Sequence, residues 1–78
     1  MREKSMRLVV TFKTTTDAIA METACRESGL AGRLIPVPRE ITAGCGMAWL
    51  APVEDGKALA DFMRKAGLYH DGWYEMML

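Results

Sequence analysis

The segment LIPVPREITAGCGMAWLAP (residues 34–52) decides the fold, because it places two strand-like runs one after the other. GRLIPV (residues 32–37) predicts one strand, and MAWLA (residues 47–51) predicts the next. Pro36 and Pro38 lack an amide hydrogen for a sheet ladder, so they end the first of these strands or place it at a sheet edge. The chain between the two runs is a connection without a helix.

A strand and a helix precede this segment. MRLVVTFK (residues 6–13) alternates, with Leu8 and Val10 on one face and Val9 on the other. Residues 16–28 keep helical spacing of apolar side chains. Hydroxyls of residues 14–16 are available to cap the start of this helix, and Gly29 is suited to its end.

A second helix and a fourth strand follow it. Residues 53–66 carry an apolar stripe that includes Leu59 and Met63, and Gly67 ends the helix. Residues 68–78 predict a strand that is broken or bulged at Asp71 and Gly72. The element order is β-α-β-β-α-β, which predicts an α+β, ferredoxin-like fold, with a four-stranded antiparallel sheet and two helices on one face. We expect one small domain over residues 1–78.

One face of such a sheet is not covered by helices. If Ala48 and Leu50 face the helices, then Met47 and Trp49 lie on the open face together with Val9. Large apolar side chains there predict a protein interface, and a chain of this size gains stability from assembly, so we expect a homodimer. The alternative is a surface that is merely wetted and carries a few apolar residues.

The charge balance argues against several partners. Lys and Arg together number 10, as do Asp and Glu, so a basic surface for nucleic acid or for a membrane is not expected. The apolar runs are too short for a signal peptide or a membrane span. The two cysteines have no disulfide-scaffold or zinc spacing, which favours a reducing, cytoplasmic setting.

Cys45 is the candidate reactive group, because it lies between Gly44 and Gly46. Glycines allow positive φ and close approach of another molecule, and successive amides in such a turn can converge on an anion. Arg39 is a candidate source of positive charge for a thiolate. The alternative is that Gly-Cys-Gly is only a tight entry into a strand. Cys25 lies on the apolar stripe of the first helix and is expected to be an inert core residue.

Other chemistry has little support in the sequence. His70 is the only histidine, so a Cys45–His70 nucleophile and base pair is a minor alternative. One histidine and two separated cysteines do not predict a metal site, and no cofactor motif is present.

The segment around Cys45 resembles a family of small bacterial domains, the selenium/sulfur carrier-like proteins. The resemblance covers residues 6–70, and its specific part is Pro-Arg-Glu followed by Cys-Gly. The matching positions are Phe12, Thr15 to Asp17, Ala20, Glu22, Arg33, Pro36, Pro38, Arg39, Glu40, Ala43, Gly44, Cys45 and Gly46. It implies a function in sulfur or selenium carriage, with Cys45 as the thiol and with donor and acceptor proteins as partners.

Two hypotheses of function follow. In the first, Cys45 carries sulfur or selenium as a persulfide, and the residues around it that assist are Arg39, Gly44, Gly46, Pro36 and Pro38. In the second, the protein is a non-catalytic module for a ligand or another protein, and Gly-Cys-Gly is a structural turn. The rate at which Cys45 is alkylated distinguishes the two.

Overall fold

A computed structural model describes residues 4–41 and 44–78. Its elements, in chain order, are β1 (Met6–Thr11), α1 (Thr15–Glu27), β2 (Arg33–Pro36), β3 (Met47–Pro52), a short 3-10 helix (Val53–Asp55), α2 (Gly56–Ala66) and β4 (Trp73–Met77). This is the predicted β-α-β-β-α-β order.

The four strands form one antiparallel sheet in the order β2-β3-β1-β4. Strands β1 and β3 are central. Strands β2 and β4, each of which follows a helix in the chain, lie at the two edges. Each βαβ unit therefore leaves space for one strand of the other unit. This arrangement confirms the ferredoxin-like fold expected from the sequence.

Both helices pack on the same sheet face. Helix α1 contributes Ala18, Met21 and Cys25 to the core, and α2 contributes Leu59 and Met63. The sheet contributes Leu8, Val10, Phe12, Trp49 and Ala51. Burial of these side chains is the main stabilising contribution of the fold, at about 25 cal/mol for each Å² of apolar surface removed from water.

Local hydrogen bonds explain where the helices begin and end. The Thr14 hydroxyl accepts a bond of 3.1 Å from the amide of Asp17, as expected for a helix cap. Gly29 follows α1 with φ of 72°, and the amide of Leu30 bonds to the Cys25 carbonyl at 2.9 Å. Gly67 has the same function after α2, with φ of 71°. Both glycine helix ends are confirmed.

The end of β1 and the beginning of β4 differ from the sequence expectation. Strand β1 ends at Thr11, whose amide donates to the Gly72 carbonyl at 2.9 Å. The Thr11 hydroxyl also accepts a bond of 2.8 Å from the amide of Gly72. Strand β4 begins only at Trp73, after the predicted break at Asp71 and Gly72. The Asp71 amide also donates to the Thr11 carbonyl at 2.7 Å, so two residues oppose Thr11 and the chain is bulged where the sequence predicted a break or bulge.

The predicted orientation of β3 was wrong. Trp49 is opposite Val10 in the sheet, is 2 % exposed and packs in the core beneath the helices. Met47 has the same phase and also packs against that core. The reason is that β1 and β3 share their register, so the face of Val10 fixes the face of Trp49.

The interface predicted from Met47, Trp49 and Val9 therefore has no basis in these residues. Val9 does lie on the open face, opposite Leu50, but its exposed fraction is 0 %. Side chains beside it cover it, so it offers no contact area. The homodimer expected from these residues remains a prediction, without the surface from which it was inferred.

Candidate functional site

Cys45 is held at the end of the sheet where β1 gives way to α1. Its amide donates to the Phe12 carbonyl at 3.3 Å, and Phe12 lies just before the helix cap Thr14. The next residue, Gly46, accepts a bond of 3.0 Å from the amide of Val37. The turn is thus joined to the chain after β1 on one side and to the chain after β2 on the other.

The two glycines around Cys45 are required for different reasons. Gly46 has φ of 81°, a backbone conformation that residues with a Cβ adopt only at a cost. A Cβ on Gly44 would lie 3.2 Å from the carbonyl oxygen of Lys13. Gly44 therefore allows the turn to pack closely on the chain that leaves β1. Both glycines fix the position of Cys45.

The Cys45 side chain is half-buried and packs against the edge of the core. Its thiol donates a hydrogen bond to the Met47 carbonyl, with 3.6 Å between sulfur and oxygen. That bond exists only while the sulfur is protonated, because a thiolate cannot donate. Formation of the thiolate therefore breaks this contact, and the sulfur must move or find a donor.

Cys25 has different surroundings. It lies on α1, its exposed fraction is 0 %, and it is part of the core cluster. Burial raises the pKa of the Cys25 thiol, because the charged form loses its hydration. Both effects oppose reaction with a reagent in water. Both cysteines are free thiols.

The structure does not join Arg39 to Cys45. Arg39 is exposed and lies in a turn that a 2.9 Å bond closes from the Ile41 amide to the Pro38 carbonyl. Across residues 4–41 and 44–78, no hydrogen bond or salt bridge includes Arg39. The backbone of Lys13 lies beside Gly44, a contact that sequence reasoning missed. The pairing of β1 with β3 is what brings it there, and no local pattern in the sequence reveals that pairing.

A scan against protein-family models gives a match over residues 7–75, nearly the whole chain, to the family described as "Putative Se/S carrier protein-like". The chain belongs to this family. No curated protein and no solved structure gives a significant match. The resemblance inferred from Pro-Arg-Glu and Cys-Gly is therefore confirmed at the level of the family. The family description gives no residue roles.

The residues that support the family resemblance lie largely on the connection between β2 and β3. The structure brings the two ends of this connection together. Pro36 is opposite Met47 in the sheet, and Val37 bonds to Gly46, so the start and the end of the connection are adjacent. Ala43 lies outside the described residues.

In the described part of the chain, His70 forms no hydrogen bond with the turn around Cys45. It is exposed, and its ring meets that of Trp73 edge to face, with 5.6 Å between centroids. Among residues 4–41 and 44–78, no group of three or more His, Cys, Asp or Glu residues is placed to bind a metal ion. None of the described helices is both long enough and apolar enough to span a membrane.

A groove of about 830 Å³ crosses the sheet face opposite the helices. Its apolar lining includes Ile35, Leu50 and Pro52, and its charged lining consists of Arg7 and Arg33. Pro36 and Pro38, proposed from the sequence to bind at the Cys45 site, also line this groove. Sequence reasoning missed it because its two arginines come from strands that are distant in the chain.

Proposed function

We propose that this protein carries sulfur or selenium on Cys45, between a donor protein and an acceptor protein. The observation that supports Cys45 is the contrast between the two thiols. Cys45 is half-buried in a turn with a glycine on each side, whereas Cys25 is enclosed by the core. Membership of the carrier-like family supports the type of cargo.

The transfer is a thiol exchange that needs no external oxidant. The Cys45 thiolate attacks the outer sulfur of a donor persulfide, and a sulfur–sulfur bond forms at Cys45. The bond between the two donor sulfurs breaks, and the donor thiolate leaves. The acceptor repeats this exchange with Cys45 as the leaving thiolate. With a donor that holds selenium as its outer atom, the same exchange moves selenium.

The turn around Cys45 suits this chemistry in two ways. Gly44 and Gly46 add no side chains that would hinder the approach of a partner. Opening of the bond to the Met47 carbonyl releases the sulfur from its only described hydrogen bond. No other cysteine is its neighbour in sequence, which favours passing the cargo on over closing an internal disulfide.

Mass spectrometry of the intact protein tests the proposal. The protein is incubated with a small-molecule persulfide donor, excess donor is removed, and no reductant is added. We expect a mass increase of one sulfur atom that a reductant reverses. Cys25→Ala should retain the increase and Cys45→Ser should lose it. A gain that survives Cys45→Ser, or no gain at all in the native protein, contradicts the proposal.

One observation favours a second function, a binding module with a structural Gly-Cys-Gly turn. The 3.6 Å contact from the Cys45 thiol to the Met47 carbonyl fits a sulfur that bonds to the backbone of its own strand and fills space. On this hypothesis, iodoacetamide alkylates Cys45 no faster than a free cysteine peptide. A carrier thiol reacts faster than that peptide at neutral pH.

A carrier needs partner proteins and a setting in which its thiol stays reduced. We propose the cytoplasm as that setting, because both cysteines are free. The donor and the acceptor must each reach Cys45 in turn. Recognition of a partner at a surface separate from the thiol would allow this exchange.

A further inference from the structure

The sheet face opposite the helices has a closed apolar floor. Val9 and Ala48 lie at its centre but have an exposed fraction of 0 %, so the accessible apolar surface consists of the side chains beside them. Leu50 and Ile35 are half-buried above and beside them. These side chains and Pro52 line the groove of about 830 Å³.

Two guanidinium groups flank the apolar centre. Arg7 is opposite Pro52 on one side of β3, and Arg33 is opposite Leu50 on the other. No acidic residue is among the described groove residues, and no described carboxylate forms a salt bridge with either arginine. The groove is therefore complementary to a ligand that is both apolar and negatively charged.

The sheet geometry sets the distance between the two charges. The two arginines are two strands apart and offset by two residues along β3, so their Cα atoms are roughly 12 Å apart. In an extended peptide, residues four apart lie on the same side at a distance of about 13 Å. The residue midway between them also points to that side and would lie over β3, between Leu50 and Pro52.

We propose that this groove binds an extended segment of another protein, with two carboxylates four residues apart and an apolar residue midway between them. The carboxylates pair with Arg7 and Arg33, and the apolar residue contacts Leu50 and Pro52. Guanidinium groups are well suited to carboxylates because they donate two parallel hydrogen bonds.

A second copy of this chain is a poorer occupant of the groove. A symmetric dimer through this face would place four arginines in one interface, and the described groove residues include no Asp or Glu side chain to neutralise them. Charges of one sign in apposition disfavour such an association. Since a symmetric dimer through this face is disfavoured, we assign the acidic segment to a different protein.

The groove and the thiol lie on different faces of the sheet. Cys45 packs against the core on the helix side, whereas Leu50 faces the groove. A partner held in the groove leaves the Cys45 side uncovered. The inference does not depend on persulfide chemistry, so Cys45→Ser should bind the acidic segment as the native protein does.

Titration of isotope-labelled protein with short peptides, followed by NMR, tests the proposal. The probe is acetyl-Glu-Val-Leu-Val-Glu-amide. One control, acetyl-Val-Glu-Leu-Glu-Val-amide, has the same composition and charge but the wrong spacing. We expect the probe to shift the amide signals of Arg33, Ile35 and Leu50, and to bind more tightly than the control.

Charge reversal provides the second part of the test. The double variant Arg7→Glu/Arg33→Glu should lose at least about tenfold in affinity for the probe and gain affinity for acetyl-Lys-Val-Leu-Val-Lys-amide. Lys57→Glu has the same type of charge change on the helix side and should bind the probe normally. Arg33→Glu alone, at an exposed edge position, gives a smaller loss with less risk to folding.

Several outcomes would overturn the proposal. They are equal affinity for the two acidic peptides, amide shifts confined to the helices, and no binding at millimolar peptide. A molecular mass that doubles with protein concentration, together with shifts on the groove face, would assign the groove to a second copy.

Discussion

Gly46 illustrates how a single residue holds the site in place. Its φ of 81° is a conformation that alanine adopts at a cost of about 1 kcal/mol. Gly46→Ala should therefore lower the free energy of unfolding in urea by about that amount. Gly56 lies in the first turn of α2 with φ of −56°, and a Cβ there would lie 3.9 Å from Leu8. Gly56→Ala should raise stability by up to about 1 kcal/mol, since alanine favours helix. Changes of the same sign would contradict this account.

The two cysteines should differ sharply in reactivity. Iodoacetamide should label Cys45 and leave Cys25 unlabelled in the folded protein, because the core encloses Cys25. In urea both should react. Peptide mapping after a timed reaction measures each site. Equal labelling under native conditions would remove the physical basis for assigning the carrier thiol to Cys45.

Cys25 also makes stability depend on pH. Burial raises its pKa in the folded state, so the unfolded chain releases this proton first as the pH rises. Its contribution to stability is complete below the ordinary thiol pKa of about 8.5 and is lost as the pH rises from there through the raised value. Urea unfolding between pH 7 and 10 should show a steeper loss of stability for the native protein than for Cys25→Ala. Parallel curves would exclude this effect.

At the scale of elements, β3 provides the clearest test of the fold. Trp49 lies beneath the helices, and its neighbour Leu50 lies over the groove. Trp49→Glu should unfold the domain, because a buried charge costs several kcal/mol and small domains have only about 3–5 kcal/mol of stability. Leu50→Glu should lower the melting temperature much less. Circular dichroism melting curves of the two variants decide between the two possible orientations of the strand.

The sequence predicted the elements better than it predicted their faces. Strand β1 has Leu8 and Val10 on one face and Arg7 and Thr11 on the other, and helices α1 and α2 are followed by glycines, so each carries its own local signal. Strand β3 reads MAWLA and is apolar at every position, so alternation cannot distinguish its two faces. Only the register with β1, a contact between distant parts of the chain, places Trp49 in the core.

For the molecule as a whole, the sequence located one of the two candidate surfaces. Cys45 could be found because Gly-Cys-Gly is a local pattern and because the chain resembles the carrier-like family. The pair of Arg7 and Arg33 could not be found, since β1 and β2 become neighbours of β3 only in the folded sheet. The position of Arg39 was beyond prediction for the same reason, as it depends on how the connection folds.

Two backbone hydrogen bonds fix the position of Cys45 at the end of the connection between β2 and β3. The bonds from Cys45 to Phe12 and from Val37 to Gly46 hold the turn from both sides. The two ends of the connection are therefore fixed, and doubling the number of residues between them should cost only about 0.6 kcal/mol. A grafted loop of foreign sequence in place of residues 39–43 should leave the sulfur where it is. The turn is thus a natural attachment point for a reporter or an affinity tag close to the thiol.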